Sequence, residues 1–349
     1  MPEPSERALR GLPSSVESRG ERVDVMLISS DTAAGSVTLT AKLGPSSYRP
    51  LGSVVTGRGP LAAVQCVFGG EAFVALSVSD ENFAVDVASA RVIGRVGVGW
   101  APRSMTPVPG TPYLLVANAG SNSLSIVDVP ARAEAVRIGV GREPGQIAVC
   151  ADGTLAVLCE RGDDTVAVLD LSALMERRPR RVAVASRTWL GAHVQPRATA
   201  ISGDFALIAA ARADVLTVLA LPDGRVEATV ALPAPGACPA GIAVTGQDGY
   251  ALVSLERAGS LAVVDLLEWT ITPQIPIGAG PRGLTIDPDD QSVYCALTRE
   301  GSLAVVHLDG VDLANARRPQ REAIRAGSRT TAVTLARTPQ PLSPDDRLG

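Results

Sequence analysis

Residues 104–141, SMTPVPGTPYLLVANAGSNSLSIVDVPARAEAVRIGVG, decide the fold. They read as an apolar strand closed by a PGT turn, a second strand YLLVANA, a polar GSNS loop, a third strand LSIVDV and a more variable outer strand AVRIGVG. The inner strands are short, rich in Val, Ile, Leu and Ala, and bounded by Gly, Asp or Pro, as in sheets buried on both faces by other sheets. The same order recurs along the chain. Pro60, Pro102, Pro144, Pro196, Pro239 and Pro281 follow one another at steps of 42, 42, 52, 43 and 42 residues. Five of them have a partner 26 residues later: Asp86, Asp128, Asp170, Asp265 and, breaking the series, His307. A period of about 40–50 residues, made of strands that cannot bury their faces alone, marks a repeat protein. Four antiparallel strands per unit, packed radially, predict an all-β fold, the β-propeller.

The two ends complement each other. Residues 24–30, 36–42 and 51–57 supply three strands without an inner one, and residues 330–337 supply an inner strand without the rest. Joined, they predict a seventh blade, whose mixed origin would remove the free edge of the ring. Six or eight blades also fit the spacing. The expected organisation is a polar tail over 1–21, one propeller domain over 22–337 and a polar tail over 338–349.

Segments such as YLLVANAGSNSLSIVDV (113–129), preceded by GVGWAPRS (97–104) and followed by IGVGREPGQIAV (138–149), resemble the YVTN-type repeat of bacterial β-propellers, which is related in pattern to lactonase-like and surface-layer-type propellers. The resemblance implies a seven-bladed propeller. It leaves activity open, because the family includes binding modules, surface-layer components, DNA-associated proteins and enzymes.

Composition narrows the classes. With 46% apolar and 19% charged residues the chain can bury a large core, but it has no apolar run of the roughly 18 residues that a spanning helix needs. The first twenty residues lack the apolar core of a secretory signal, so the expected location is the cytoplasm. Cys66, Cys150, Cys159 and Cys295 fall in apolar strands and read as reduced packing residues. Lys42 is the single lysine among 32 basic residues, a composition bias before it is a functional sign. A net charge of −4 argues against general nucleic-acid affinity, and 3% aromatic residues argue against base-stacking platforms.

Chemistry is expected where the fourth strand of one blade crosses to the first strand of the next, around the mouth of the central channel. These crossings carry the repeated prolines and also Arg58, Trp100, Arg103, Arg142, Glu143, His193, Gln195, Arg197, Cys238, Arg282 and Arg329. Arg103, Arg197 and Arg282 each follow a repeated proline, so pseudosymmetry aims all three at the axis. Guanidinium groups around one concavity grip carboxylate or phosphate oxygens. The competing reading is an internal charge network with Asp80, Glu81, Glu160, Asp163, Asp164, Asp214, Glu256 and Glu300 of the loops between second and third strands. His193, one of two histidines, stands where other units have Gly and could act as a general acid or base. Cys238, among arginines, could be an activated thiol.

No CxxC, HxxxH or EF-hand pattern supports a metal, and no cofactor is implied. Asn118, Glu160 and Glu256 hold similar blade positions and are the candidates for a channel calcium of the lactonase kind. Two longer loops carry Arg-Arg-Pro, with Arg177, Arg178, Arg180 and Arg181 in one and Arg317, Arg318 and Arg321 in the other. They read as solvated loops on the opposite face, or as a partner or nucleic-acid contact. The recurrent Asp is expected to accept backbone N–H groups of a neighbouring turn, and His307 to be a satisfied structural histidine. The expected function is binding of a small anionic or polar molecule at the arginine-rich mouth, without membrane attachment. Catalysis of a lyase, isomerase, cyclase or lactonase type stays open, and the alternative is a protein-interaction scaffold.

Overall fold

The computed structural model describes residues 25–44, 46–56, 65–66, 71–76, 81–86, 91–233, 235–246, 249–287, 292–308, 313, 321–326 and 329–337. Arg58, Asp80, Arg317 and Arg318 lie outside them, as do the side chains of Glu81 and Asp86. The strands follow in chain order: β1 (Val25–Asp31), β2 (Ser36–Gly44), β3 (Ser47–Val55); β4 (Gln65–Cys66), β5 (Glu71–Leu76), β6 (Glu81–Asp86), β7 (Arg91–Gly97); β8 (Pro102–Pro107), β9 (Tyr113–Asn118), β10 (Ser123–Asp128), β11 (Ala133–Gly139). There follow β12 (Pro144–Val149), β13 (Leu155–Glu160), β14 (Thr165–Asp170), β15 (Ala183–Trp189); β16 (Pro196–Ser202), β17 (Phe205–Ala210), β18 (Val215–Ala220), β19 (Arg225–Ala231). The last are β20 (Pro239–Val244), β21 (Tyr250–Leu255), β22 (Ser260–Asp265), β23 (Thr270–Pro276); β24 (Pro281–Ile286), β25 (Ser292–Leu297), β26 (Ser302–His307), β27 (Arg321–Arg325); and β28 (Thr330–Arg337).

Six blades are each built from four consecutive antiparallel strands, β4–β7 through β24–β27. A further four-stranded sheet, in the order β28-β1-β2-β3, draws on both ends of the described chain, with Ile28 opposite Thr334 and Ser29 opposite Val333. The first strands of neighbouring sheets lie side by side: β8 beside β12, β12 beside β16, β16 beside β20, β20 beside β24, β24 beside β28, and β28 beside β4. These inner strands surround the axis of a β-propeller.

Burial follows strand position. Every residue of β9 is buried, and β10, β14, β22 and β26 are buried up to their last residue, because both faces of each sheet meet another sheet. The outer strand β15 alternates exposed and half-buried residues instead. Core clusters join blades: Leu115, Leu124 and Ile126 of one pack with Leu158 and Leu169 of the next, and Leu207 and Leu216 pack with Val253 and Val264. Each such side chain contributes roughly 1.5–3 kcal/mol by leaving water.

The recurrent Asp closes the turn from third to fourth strand. Asp128 Oδ1 accepts the Ala131 N–H at 3.0 Å, Asp170 Oδ1 that of Ser172 at 2.9 Å, and Asp265 Oδ1 those of Leu267 and Glu268 at 2.8 and 3.1 Å. His307, at the divergent position, is held otherwise: Nδ1 lies 3.3 Å from Ser292 Oγ, and Nε2 lies 3.4 Å from Ser46 Oγ and 3.5 Å from Glu322 Oε1. The first Arg-Arg-Pro loop carries a short helix, α1 (Ser172–Met175), and a single 3-10 turn, Pro179–Arg181.

Candidate functional site

Five of the inner strands, β8, β12, β16, β20 and β24, begin at a repeated proline, and the residue before each of these prolines turns left-handed. φ is +52° at Ala101, +48° at Glu143, +55° at Gln195, +56° at Cys238 and +71° at Gly280. A proline disfavours the right-handed helical region for its predecessor and by itself favours the extended one, so the left-handed turn is set by the crossing loop and held by its hydrogen bonds. The carbonyl of that residue then accepts the N–H of the residue just past the second strand: Ala119 to Ala101 at 3.0 Å, Arg161 to Glu143 at 3.3 Å, Ala211 to Gln195 at 3.1 Å, Glu256 to Cys238 at 3.1 Å and Thr298 to Gly280 at 2.9 Å. Polar side chains from the loops between second and third strands hold the same crossings. Asn122 Oδ1 takes the Glu143 N–H at 3.0 Å, Asp164 those of His193 and Gln195 at 2.7 and 2.8 Å, and Asp214 those of Gly236 and Cys238 at 2.5 and 3.0 Å.

After each proline the ladder slips. The pairing jumps from Pro102 to Ser104, from Pro196 to Ala198 and from Pro239 to Gly241, leaving Arg103, Arg197 and Ala240 as bulge residues; in β24 it jumps from Pro281 to Leu284, past Arg282. A bulge re-aims the side chain it releases. Here it delivers Arg103, Arg197 and Arg282 to a cavity of about 200 Å³, also lined by Arg161, Gln146, Ser104 and Thr331. From β8 to β28 the bulge position alternates between arginine and a smaller residue: Arg103, Gly145, Arg197, Ala240, Arg282, Thr331. The small residues leave space for the guanidinium groups beside them. A Cβ on Gly145 would meet Arg161 Cδ at 3.1 Å.

The charges are unequally paired. Glu256 bridges two arginines, accepting from Arg197 Nη1 at 2.8 Å and from Arg282 Nε and Nη2 at 3.0 and 2.9 Å. Burial works to raise the Glu256 pKa, but the Arg282 hydrogen bond and the charges of Arg197 and Arg282 outweigh it and hold the carboxyl below its usual range. Arg103 makes no hydrogen bond or ion pair with any described residue. Burial lowers its pKa and the charges of Arg197 and Arg282 lower it further, while Glu143 works the other way. An arginine stays protonated regardless. Arg161 Nε is buried and has no hydrogen-bond partner among the described residues.

The other sequence candidates fall around this cavity rather than in it. Arg142 is exposed and paired to Asp163 Oδ1 at 2.5 Å, and the Glu143 side chain is exposed. Trp100 is 61% exposed and its ring lies against Gly120, while its backbone N–H donates to Ser121 Oγ at 3.1 Å. Gln195 and Cys238 line an adjoining cavity, and Cys238 Sγ accepts from Arg197 Nη1 at 3.4 Å. His193 is exposed and lines neither cavity. Glu160 is wholly buried and saturated by the Gly141 N–H at 2.7 Å, Thr165 Oγ1 at 2.7 Å and both arms of Arg187 at 2.6 and 2.9 Å. Among the described residues no three His, Cys, Asp or Glu side chains gather as a metal site. Nor is any described helix long and apolar enough to cross a membrane. Sequence reasoning missed Arg161 and Gln146, and did not single out Glu256 as the carboxylate that divides the arginines.

No protein-family model matches the chain, and no curated relative matches it. Solved structures do. A candidate 6-phosphogluconolactonase from Bacteroides fragilis aligns with a TM-score of 0.77 at 15% identity, covering 96% of this chain and 100% of that one. The periplasmic gluconolactonase of Pseudomonas aeruginosa gives 0.74 at 16% identity, with 90% and 99% covered. Kuenenia stuttgartiensis hydrazine synthase gives 0.71 at 17%, with 81% and 92% covered. At such identities the likeness is one of fold, shared by proteins named for different chemistries.

Proposed function

We propose that this propeller binds a small anion in the arginine-lined cavity. The observation that carries the reading is the imbalance of charge among the described residues: Glu256 neutralises Arg197 and Arg282 between them, while Arg103 has no ion-pair partner there and Arg161 keeps a buried Nε without a described acceptor. A purely structural network would close such donors internally, since a buried donor without a partner costs about 1–3 kcal/mol. A carboxylate or phosphate would satisfy both. We also read the composite sheet as a seventh blade that closes the ring around this cavity; the pairing of β28 with β1 and the place of β28 between β24 and β4 support it.

Calorimetric titration with inorganic phosphate and with a short dicarboxylate tests the site. Arg103→Ala or Arg161→Ala should each weaken binding by roughly 1.5–3 kcal/mol, about tenfold to a hundredfold, the scale of a charge-assisted hydrogen bond. If neither anion binds, or if both variants bind as the parent does, the scaffold reading replaces this one.

The gluconolactonases among the structural neighbours favour a second reading, hydrolysis of an acid-bearing sugar lactone. In it the unpaired arginines would orient the acid group and stabilise the oxyanion formed by attack on the ring carbonyl. His193 stands outside the cavity lining, so no proton transfer is assigned to it here. Assay of gluconolactone and its 6-phosphate against the uncatalysed rate decides this reading: no acceleration by the parent protein removes it.

A further inference from the structure

Beside the central cavity lies another of about 320 Å³, lined by Gln195, Arg212, Asp214, Cys238 and Arg257 among others. Arg212 and Arg257 occupy the same place in neighbouring blades, two residues past the ends of β17 and β21. Each donates its backbone N–H into the crossing loop, Arg212 to Val194 O at 3.2 Å and Arg257 to Ala237 O at 2.9 Å. Both side chains are exposed, and neither has a hydrogen bond or ion pair with a described residue. Asp214, the carboxylate of this wall, already accepts the N–H groups of Gly236 and Cys238, one on each oxygen. The cavity therefore carries two positive charges, and the carboxylate that lines it, Asp214, is engaged on both oxygens by backbone N–H groups. Its wall toward the centre is thin: Cys238 Sγ faces Arg197 Nη1 at 3.4 Å, and Arg197 lines the central cavity.

We propose that this second cavity is an anion subsite continuous with the first, so that the ligand carries two anionic groups. One is held by Arg103 and Arg161, the other by Arg212 and Arg257, with the linking atoms crossing the Arg197–Cys238 contact. This rests on the anion-binding reading of the central cavity and adds the class of ligand, an elongated bis-anion such as a bisphosphate or a phosphorylated acid. Linking two charges makes the second contact intramolecular, so the gain over a single anion depends on the length of the link.

The test uses the full chain, with methylphosphonate as the single anion and straight alkane-α,ω-bisphosphonates of rising length as the doubled one. One chain length should bind about tenfold or more tightly than methylphosphonate. Arg212→Gln/Arg257→Gln should abolish that gain and leave methylphosphonate affinity within about twofold, whereas Arg103→Gln should weaken both probes. Circular dichroism and the melting midpoint establish that the variants are folded. If no chain length exceeds the statistical factor of about two, or if the double variant keeps the gain, the second subsite is overturned. Should methylphosphonate fail to bind the parent protein, the central reading falls. The second cavity then survives only if bisphosphonate binding still depends on Arg212 and Arg257.

Discussion

Arg197 reaches Glu256 across a blade boundary, Nη1 to Oε2 at 2.8 Å, and the opposite oxygen of the same carboxylate holds Arg282. A single acid thus sets how much positive charge faces the cavity. Removing it has two opposed consequences. The arginines lose the group that offsets their mutual repulsion, and an incoming anion meets more positive charge.

Glu256→Gln should therefore lower thermal stability at neutral pH and raise phosphate affinity severalfold, with saturating phosphate restoring much of the lost melting temperature. The pH dependence has a fixed sign. The folded Glu256 carboxyl lies below its usual value of 4.5, so its contribution is present above that pH and is lost as pH falls through the folded value. The gap in melting temperature between parent and Glu256→Gln should begin to narrow below about pH 4.5 and vanish once pH falls below the folded value. A gap that stays constant down to pH 3 would count against the assignment.

The pair between Arg187 and Glu160 plays another part. Glu160 is wholly buried while the Arg187 side chain is 43% exposed. Breaking a buried pair from one side leaves an uncompensated charge, at about 3–5 kcal/mol; the exposure of Arg187 reduces this to roughly 2–3 kcal/mol for Arg187→Ala. Anion affinity should not change, because neither residue lines the cavity. Urea denaturation with and without phosphate separates the two effects.

Ring closure is tested by truncation after Arg329. The deletion removes β28, which pairs with β1 from Val25 opposite Arg337 to Asp31 opposite Thr330. It would bare the edge of β1 and take Thr331 from the cavity wall. The truncated chain should unfold with lower cooperativity and self-associate; a monomer with the parent's melting curve would show that the composite sheet is dispensable.

How much of this was legible in sequence depends on whether a residue's place recurs. Arg103, Arg197 and Arg282 were found because they follow repeated prolines, and the bulge that aims them inward is a property of the repeat. Arg161 escaped because its ring position, one residue past the second strand, holds Ala119, Ala211, Glu256 and Thr298 in other described blades, with no other arginine to mark it. Carboxylates in these loops were legible as partners, but not which way they turn: Glu160 points into its blade toward Arg187, and Glu256 toward Arg197 and Arg282 of the neighbouring blades. His193 drew notice by its rarity and by standing where other units have Gly. Its position is a left-handed loop residue at φ +60° held through its backbone by Asp164, a role that requires no imidazole.

Gly145 offers a steric test that leaves every charge in place. It sits at the bulge position between Arg103 and Arg197 in the ring, and a Cβ there would stand 3.1 Å from Arg161 Cδ, 3.3 Å from Cγ and 3.6 Å from Arg197 O. The crowded atoms belong to a long side chain that can shift by a few tenths of an ångström, so the fold has little reason to suffer. Replacing glycine within a strand also removes an entropic penalty of roughly 0.5–1 kcal/mol. Gly145→Ala should thus melt at or slightly above the parent temperature. Its phosphate affinity should nonetheless fall several-fold, because displacing Arg161 misaligns a donor whose hydrogen bond is steep in angle and distance. Calorimetry on this variant is the sharper check on the role of Arg161, since no charge has been removed. Unchanged affinity would mean that Arg161 lines the cavity without touching what the cavity binds.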